Sequence, residues 1–194
     1  MSSRLVIGSS LIRDIRYIND TDIYSLRGAK VEDVMTVFSK KHETTRRYDA
    51  VFVLCGGNNI EVDPPDEIIR KLHELTKVIL SINPKCIIII SSLIPRPRID
   101  DNCKQKFIET NRLIQLECPK WDRTIFSVPT YKLFVSGGNI VHNYFCSDAV
   151  HLNIEGYKRL KQYICQMLSK FAYKPRRLVH GETHSYHRRD WSNF

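Results

Sequence analysis

Two apolar runs constrain this chain more than anything else in it. Ala50-Val51-Phe52-Val53-Leu54-Cys55 and Cys86-Ile87-Ile88-Ile89-Ile90 are hydrophobic at consecutive positions and do not alternate with polar residues. A strand with one wet face alternates, because successive side chains point to opposite sides. A strand that is apolar on both faces must be covered on both, as in a parallel sheet flanked by helices. The β-branched residues of the second run also favour extended backbone. Three shorter stretches read as further strands: Arg4-Leu5-Val6-Ile7, Asp22-Ile23-Tyr24-Ser25-Leu26, and Thr124 to Val128.

Between the strands the apolar residues take helical spacing. Leu11 to Ile18 reads as a short helix, and Lys30 to Lys41 carries Val31, Val34, Met35 and Phe38 on one side. Pro64-Pro65-Asp66 opens a helix that runs through Ile82, with Ile68, Ile69, Leu72, Leu75 and Ile79 as its stripe. Residues from about Asn102 to Glu117, and from Asn153 to Phe171, read as two more. Gly137-Gly138 marks a turn within the long connection before the last helix. Strand and helix alternate five times, which predicts an α/β fold with a parallel sheet and helices on both faces.

The length of 194 residues suits one domain. The globular part is expected over residues 1–172. From residue 173 to 194 the apolar periodicity stops, and a basic, flexible tail is expected. That tail holds five Lys/Arg against two acids, or +3 of the net charge of +9. Such a balance allows contact with nucleic acid, with Tyr173, Tyr186 and Trp191 as stacking platforms, and equally serves as a solvated surface. The six scattered cysteines form no C-x-x-C pair, and no secretory signal precedes them. Free thiols and an intracellular location, cytoplasm or nucleus, are the expectation. No apolar run approaches the ~20 residues that span a bilayer. His180, His184 and His187 lie in the tail without a cysteine partner, so no metal is expected there.

Ligands of open α/β sheets sit beyond the C-terminal ends of the strands. Four polar segments are predicted at that edge: Ser9-Ser10, Gly28, Asn58-Asn59, and the loop holding Asp148 and His151. A carboxylate three residues before an imidazole can hold the ring's Nδ1–H and leave Nε2 as a base for a serine hydroxyl. The Asn58 side-chain amide and the backbone amides of Ser10 and Gly28 could surround a developing oxyanion. Each piece also has an ordinary structural reading. Ser10 could be an N-cap, Gly56-Gly57-Asn58-Asn59 a tight turn with Asx bonds, and Asp148 the cap of the last helix.

Taken in order, strand–Gly8-Ser9-Ser10, Gly28, Gly56-Gly57-Asn58-Asn59 and Asp148-x-x-His151 resemble the SGNH (GDSL-like) hydrolase superfamily over residues 4 to about 172. The resemblance implies a three-layer α/β/α sandwich with five parallel strands, and a serine esterase that needs no metal or organic cofactor. It implies Ser10 as nucleophile, Asp148 and His151 as orienter and base, and Ser10, Gly28 and Asn58 as the oxyanion hole. The implied substrate is a small ester or acylated molecule. Ser9 stands where the family usually has an aspartate, and Asn59 replaces a second family acid. The Gly-Ser-Ser and Gly-Gly-Asn-Asn segments are also similar to SGNH domains of LINE-like retroelement proteins. That looser resemblance implies an alternative: a nucleic-acid-associated binding module.

Overall fold

The computed structural model describes residues 3–41 and 46–172. In chain order these form β1 (Ser3–Gly8), β2 (Thr21–Ser25), α1 (Val31–Lys40), β3 (Tyr48–Leu54), α2 (Pro65–Ile82) and β4 (Ile87–Ser91). Then follow α3 (Asp101–Trp121), β5 (Ile125–Val128), a small hairpin of β6 (Val135–Ser136) and β7 (Asn139–Ile140), and α4 (Ile154–Ala172). The predicted basic tail, with its histidines and aromatic residues, lies outside the described residues. No described helix is long and apolar enough to cross a membrane.

Five strands make one sheet in the order β2-β1-β3-β4-β5, and every neighbouring pair is parallel. The two-sided apolar pattern has the predicted consequence. Leu5, Ile7, Val51, Val53, Ile88 and Ile90 face a core closed by α1, α2 and α3, with Val34, Phe38, Leu72, Leu75 and Ile114 among its buried members. Val6, Ala50, Phe52, Leu54 and Ile89 face the opposite core, closed by Leu160, Ile164 and Leu168 of α4. The layers therefore divide as three helices on one face and one on the other. Ile12, Ile15, Ile18, Phe134 and Phe145 fill out the single-helix side. Burying a side chain of this size contributes roughly 1.5–3 kcal/mol, so the two layers are held by many similar increments.

One predicted helix is absent. Leu11 to Ile18 does not form an α-helix; Ser10–Ile12 is a 3₁₀ turn, with Ile12 N–H donating to Ser9 O and Arg13 N–H to Ser10 O. Beyond that turn the chain is irregular, with Ile12, Ile15 and Ile18 buried and Tyr17 and Asp20 in left-handed backbone. In a connection between adjacent parallel strands, those three isoleucines are enough to cover the sheet. In contrast, α3 runs past its expected end to Trp121, with Pro119 inside its last turn. Stacking of Trp121 on His73 of α2, with ring centroids 4.6 Å apart, gives that last turn a partner.

The strand order reverses direction between β1 and β3: β2 lies to one side of β1, and β3, β4 and β5 follow on the other. In open parallel sheets ligands sit beside such a switch point, here the C-terminal ends of β1 and β3. In the sheet register, Gly8 is the partner of both Ser25 and Leu54, so three strands end side by side. Gly8 is required for this closeness, since a Cβ there would sit 2.1 Å from the Leu54 carbonyl oxygen. Gly8→Ala therefore has to push β1 off β3. The expected cost is about 3 kcal/mol or more, read as a lower urea midpoint at unchanged m-value.

Candidate active site

Beyond Gly8 the chain stays tied to β3 for one more residue, through Ser9 N–H to Leu54 O at 3.1 Å. The 3₁₀ turn then begins, and it sorts the two serines. Ser9 is buried, and its hydroxyl makes no capping hydrogen bond, whereas Ser10 is only partly covered. Ser10 Oγ lies 3.2 Å from His151 Nε2. The other ring nitrogen, Nδ1, is 2.7 Å from Asp148 Oδ2. Ser10, His151 and Asp148 are thus joined in a single hydrogen-bonded chain across 141 residues of sequence.

Asp148 and His151 have the i, i+3 spacing of a helical turn, but the segment that carries them is a loop. Phe145 and Leu152, both buried, pair as an isolated antiparallel bridge, and Cys146 N–H donates to His151 O at 2.8 Å. Between them the chain turns back through Ala149, whose φ of 57° is left-handed. Asp148 Oδ1 accepts the backbone N–H groups of Val150 and His151, each at 2.9 Å. Asp148 does not cap the last helix; Asn153 does, its side-chain oxygen accepting Gly156 N–H at 3.1 Å. The hydrogen bond from His151, followed by those from the two backbone amides, holds the Asp148 carboxyl well below the usual carboxylate range. A carboxylate accepts only, so the proton between Asp148 and His151 sits on Nδ1, and in the neutral form of the ring Nε2 is the acceptor that faces Ser10.

Asn58 and Gly28 come from neighbouring loops. Gly28 is exposed in the turn after β2, with a φ of 65° that suits glycine. The next residue, Ala29, accepts a hydrogen bond from Asn58 Nδ2 at 3.0 Å, so the two segments are tied together. Neither asparagine makes the Asx turn that the sequence allowed. Asn59 is fully buried, and its Oδ1 accepts Val31 N–H at the start of α1, at 3.0 Å. Its Nδ2 donates to Glu32 and to Asp63, and Lys71 of α2 binds both of those carboxylates. Burial opposes ionisation of Glu32 and Asp63, yet hydrogen bonds from Lys71 and Asn59 hold both below the ordinary range.

Some participants had no signal in the sequence. Tyr157 of α4 is buried, and its hydroxyl lies 3.5 Å from the Ser10 carbonyl. Burial, helped by Asp14, pushes its phenol up to about 12, so it stays protonated. Arg96, which with Arg98 reads from the sequence as suited to an anionic partner or as facing water, instead bonds Asn58 Oδ1 at 2.7 Å. Arg98 is exposed, 3.5 Å from the Ser147 carbonyl. His142 is also exposed, in the 3₁₀ turn before Phe145. Among the described residues no group of acidic, histidine and cysteine side chains is placed to hold a metal ion.

No protein-family model matches the sequence, and no curated protein does. Solved structures match the fold closely. A GDSL-like lipase from Bacteroides thetaiotaomicron superposes with a TM-score of 0.74 at 18% identity, covering 87% of this chain and 88% of that one. An acylhydrolase from Bacteroides fragilis gives 0.73 at 18% identity, over 87% of each chain. A member of the lipolytic G-D-S-L family from Veillonella parvula gives 0.73 at 16% identity, over 88% of this chain and 100% of that one. The fold is that of the GDSL-like, or SGNH, hydrolases.

The Asp148–His151 contact makes a prediction of its own. In Asp148→Asn, Oδ1 keeps the two backbone donors, and the new NH₂ faces the ring. Nδ1 must then accept, and the ring proton moves to Nε2. Ring ¹⁵N–¹H correlation spectra of His151 are expected to show Nδ1–H in the parent and Nε2–H in the variant; the same tautomer in both would contradict the geometry. Because the Asp148 pKa is lowered on folding, its contribution to stability is complete above the ordinary carboxylate range and fades as pH falls toward the lowered value. With the side chain 49% exposed, water damps that contribution.

Proposed function

We propose that this protein is a serine ester hydrolase acting on small esters or acylated molecules. The observation that carries the reading is the chain Ser10 Oγ–His151 Nε2, 3.2 Å, and His151 Nδ1–Asp148 Oδ2, 2.7 Å, at the switch point of a parallel sheet. Its geometry matches the requirement for an activated serine: nucleophile and base in hydrogen-bond reach, with a third group orienting the base. A binding module would need no such alignment, and the contact favours the enzyme.

In this reading Ser10 Oγ attacks the ester carbonyl carbon while its proton passes to His151 Nε2. The carbonyl π electrons move onto oxygen, where the Ser10 and Gly28 amides and Asn58 Nδ2 stabilise the charge. Asn58 is suited to that role because Ala29 takes only one of its two amide hydrogens. Collapse of the tetrahedral intermediate breaks the carbon–alkoxy bond, and Nε2 returns the proton to the departing alcohol. Water then attacks the acyl-serine by the same route, giving the acid and free Ser10. Asp148 remains ionised throughout and stabilises the transient imidazolium. Serine at position 9 does not remove any of these groups.

Hydrolysis of short p-nitrophenyl esters tests the reading. Ser10→Ala is expected to fall by ~10³-fold or more, to the residual rate of a site lacking its nucleophile. Ser9→Ala should stay within about tenfold of the parent, since Ser9 lies outside the proton path. Esterase activity undiminished in Ser10→Ala would sink the assignment.

A further inference from the structure

We infer that Arg96 is a positioning residue, which fixes the Asn58 amide so that its one spare N–H is presented to the oxyanion. This rests on the ester-hydrolase reading above and adds a residue to it. An asparagine amide can sit either way round in a pocket, and only its partners decide which end faces where. Here both partners are unambiguous. Arg96 Nη2 can only donate, so the atom 2.7 Å away is Asn58 Oδ1. The Ala29 carbonyl can only accept, so the atom 3.0 Å away is Nδ2. With Oδ1 held by the guanidinium and one hydrogen held by Ala29, the direction of the second hydrogen is set. Without Arg96 only the Ala29 bond remains, and the amide can rotate about it.

Arg96 is itself built in. Its side chain is 13% exposed, although it comes from the proline-flanked loop after β4. Nη2 also donates to the Gly57 carbonyl at 3.1 Å, and Nη1 to Glu61 at 2.7 Å. The guanidinium carbon lies 6.0 Å from the centre of the Phe107 ring of α3. One planar fork thereby spans the residue before Asn58, the Asn58 side chain, and a carboxylate three residues on, a geometry that lysine cannot reproduce. There is an electronic effect too. A cation bonded to an amide oxygen draws density from the nitrogen and makes its N–H a stronger donor. Both effects grow in importance as charge develops on the substrate oxygen, so they act on the transition state more than on substrate binding.

The test is a double-mutant cycle on p-nitrophenyl acetate hydrolysis, using the parent, Arg96→Met, Asn58→Ala and the double variant, with Arg96→Lys alongside. Losing one oxyanion donor typically costs ~10²–10³-fold, so losing its orientation should lower kcat by roughly 10- to 100-fold, with KM within about threefold. Arg96→Met should cost nothing further once Asn58 is alanine, because its effect passes through that amide. Arg96→Lys, which keeps the charge but not the fork, should fall between parent and Arg96→Met. The rate of Ser10 modification by a fluorophosphonate should follow the same order, since the phosphonyl oxygen uses the same donors. Full kcat in Arg96→Met or Arg96→Lys, or a penalty that persists in the Asn58→Ala background, overturns the inference. If Arg96→Met does not fold, Arg96→Lys alone decides: parental kcat overturns, and a lower kcat at parental KM supports. Failure of the parent reading looks different: turnover and labelling would then be indifferent to Ser10→Ala.

Discussion

The close approach of β1 to β3 at Gly8 is the constraint on which the rest of the site depends. Because no side chain separates Gly8 from the Leu54 carbonyl, the two strands reach the sheet edge together, and Ser9 is still bonded to β3 when the 3₁₀ turn begins. The turn carries Ser10 outward and leaves Ser9 inside. Leu54 is also the last residue of β3, so the Gly56–Asn59 loop starts at the same point. The loops that carry Ser10 and Asn58 therefore leave the sheet from paired strand ends, before any side-chain contact is counted. His151 arrives separately, on a loop pinned by the Phe145–Leu152 bridge at one end and by Asn153 at the start of α4.

Much of this was legible in the chain. Runs such as Ile87 to Ile90 leave a parallel, doubly covered sheet as the economical fold, and the strand ends then select which polar residues share an edge. The meeting of Ser10 with His151 and Asp148 follows from that logic and from their order. The short connection after Ser10 was not legible, because Ile12, Ile15 and Ile18 fit a helical stripe as well as an irregular connection until the sheet beneath them is known. The conformation of residues 148–151 was hidden for a related reason. An i, i+3 pair is the spacing of a helical turn, but left-handed Ala149 achieves the same meeting in a loop. Arg96 was silent because its role depends on Asn58, Gly57 and Glu61 being folded around it from 35 to 39 residues away.

The two positions where the motifs depart from the SGNH pattern behave differently. Position 59 holds an amide where the SGNH motif has an acid, and carboxylates lie beside it. Glu32 from α1 and Asp63 from the loop before α2 bring carboxylates to the Asn59 amide, and Lys71 bridges the two, offsetting one of their two charges. Lys71 and Asp63 are only 15% and 14% exposed at the side chain, so removing one partner would leave a charge poorly served by water. Asn59 also keeps its oxygen for Val31 N–H, an N-terminal amide of α1 with no partner inside its own helix. An aspartate could accept that bond too, but it could not donate to Glu32 and Asp63. With those two acids present, an amide is the better occupant, because a third carboxylate beside one ammonium would be repelled. Asn59 thus suits its charged neighbours and keeps the loop, and Asn58 on it, anchored to α1 and α2. At position 9 the replacement is simpler: a buried serine beside a backbone bond to β3, where the strand contact already holds the turn that presents Ser10.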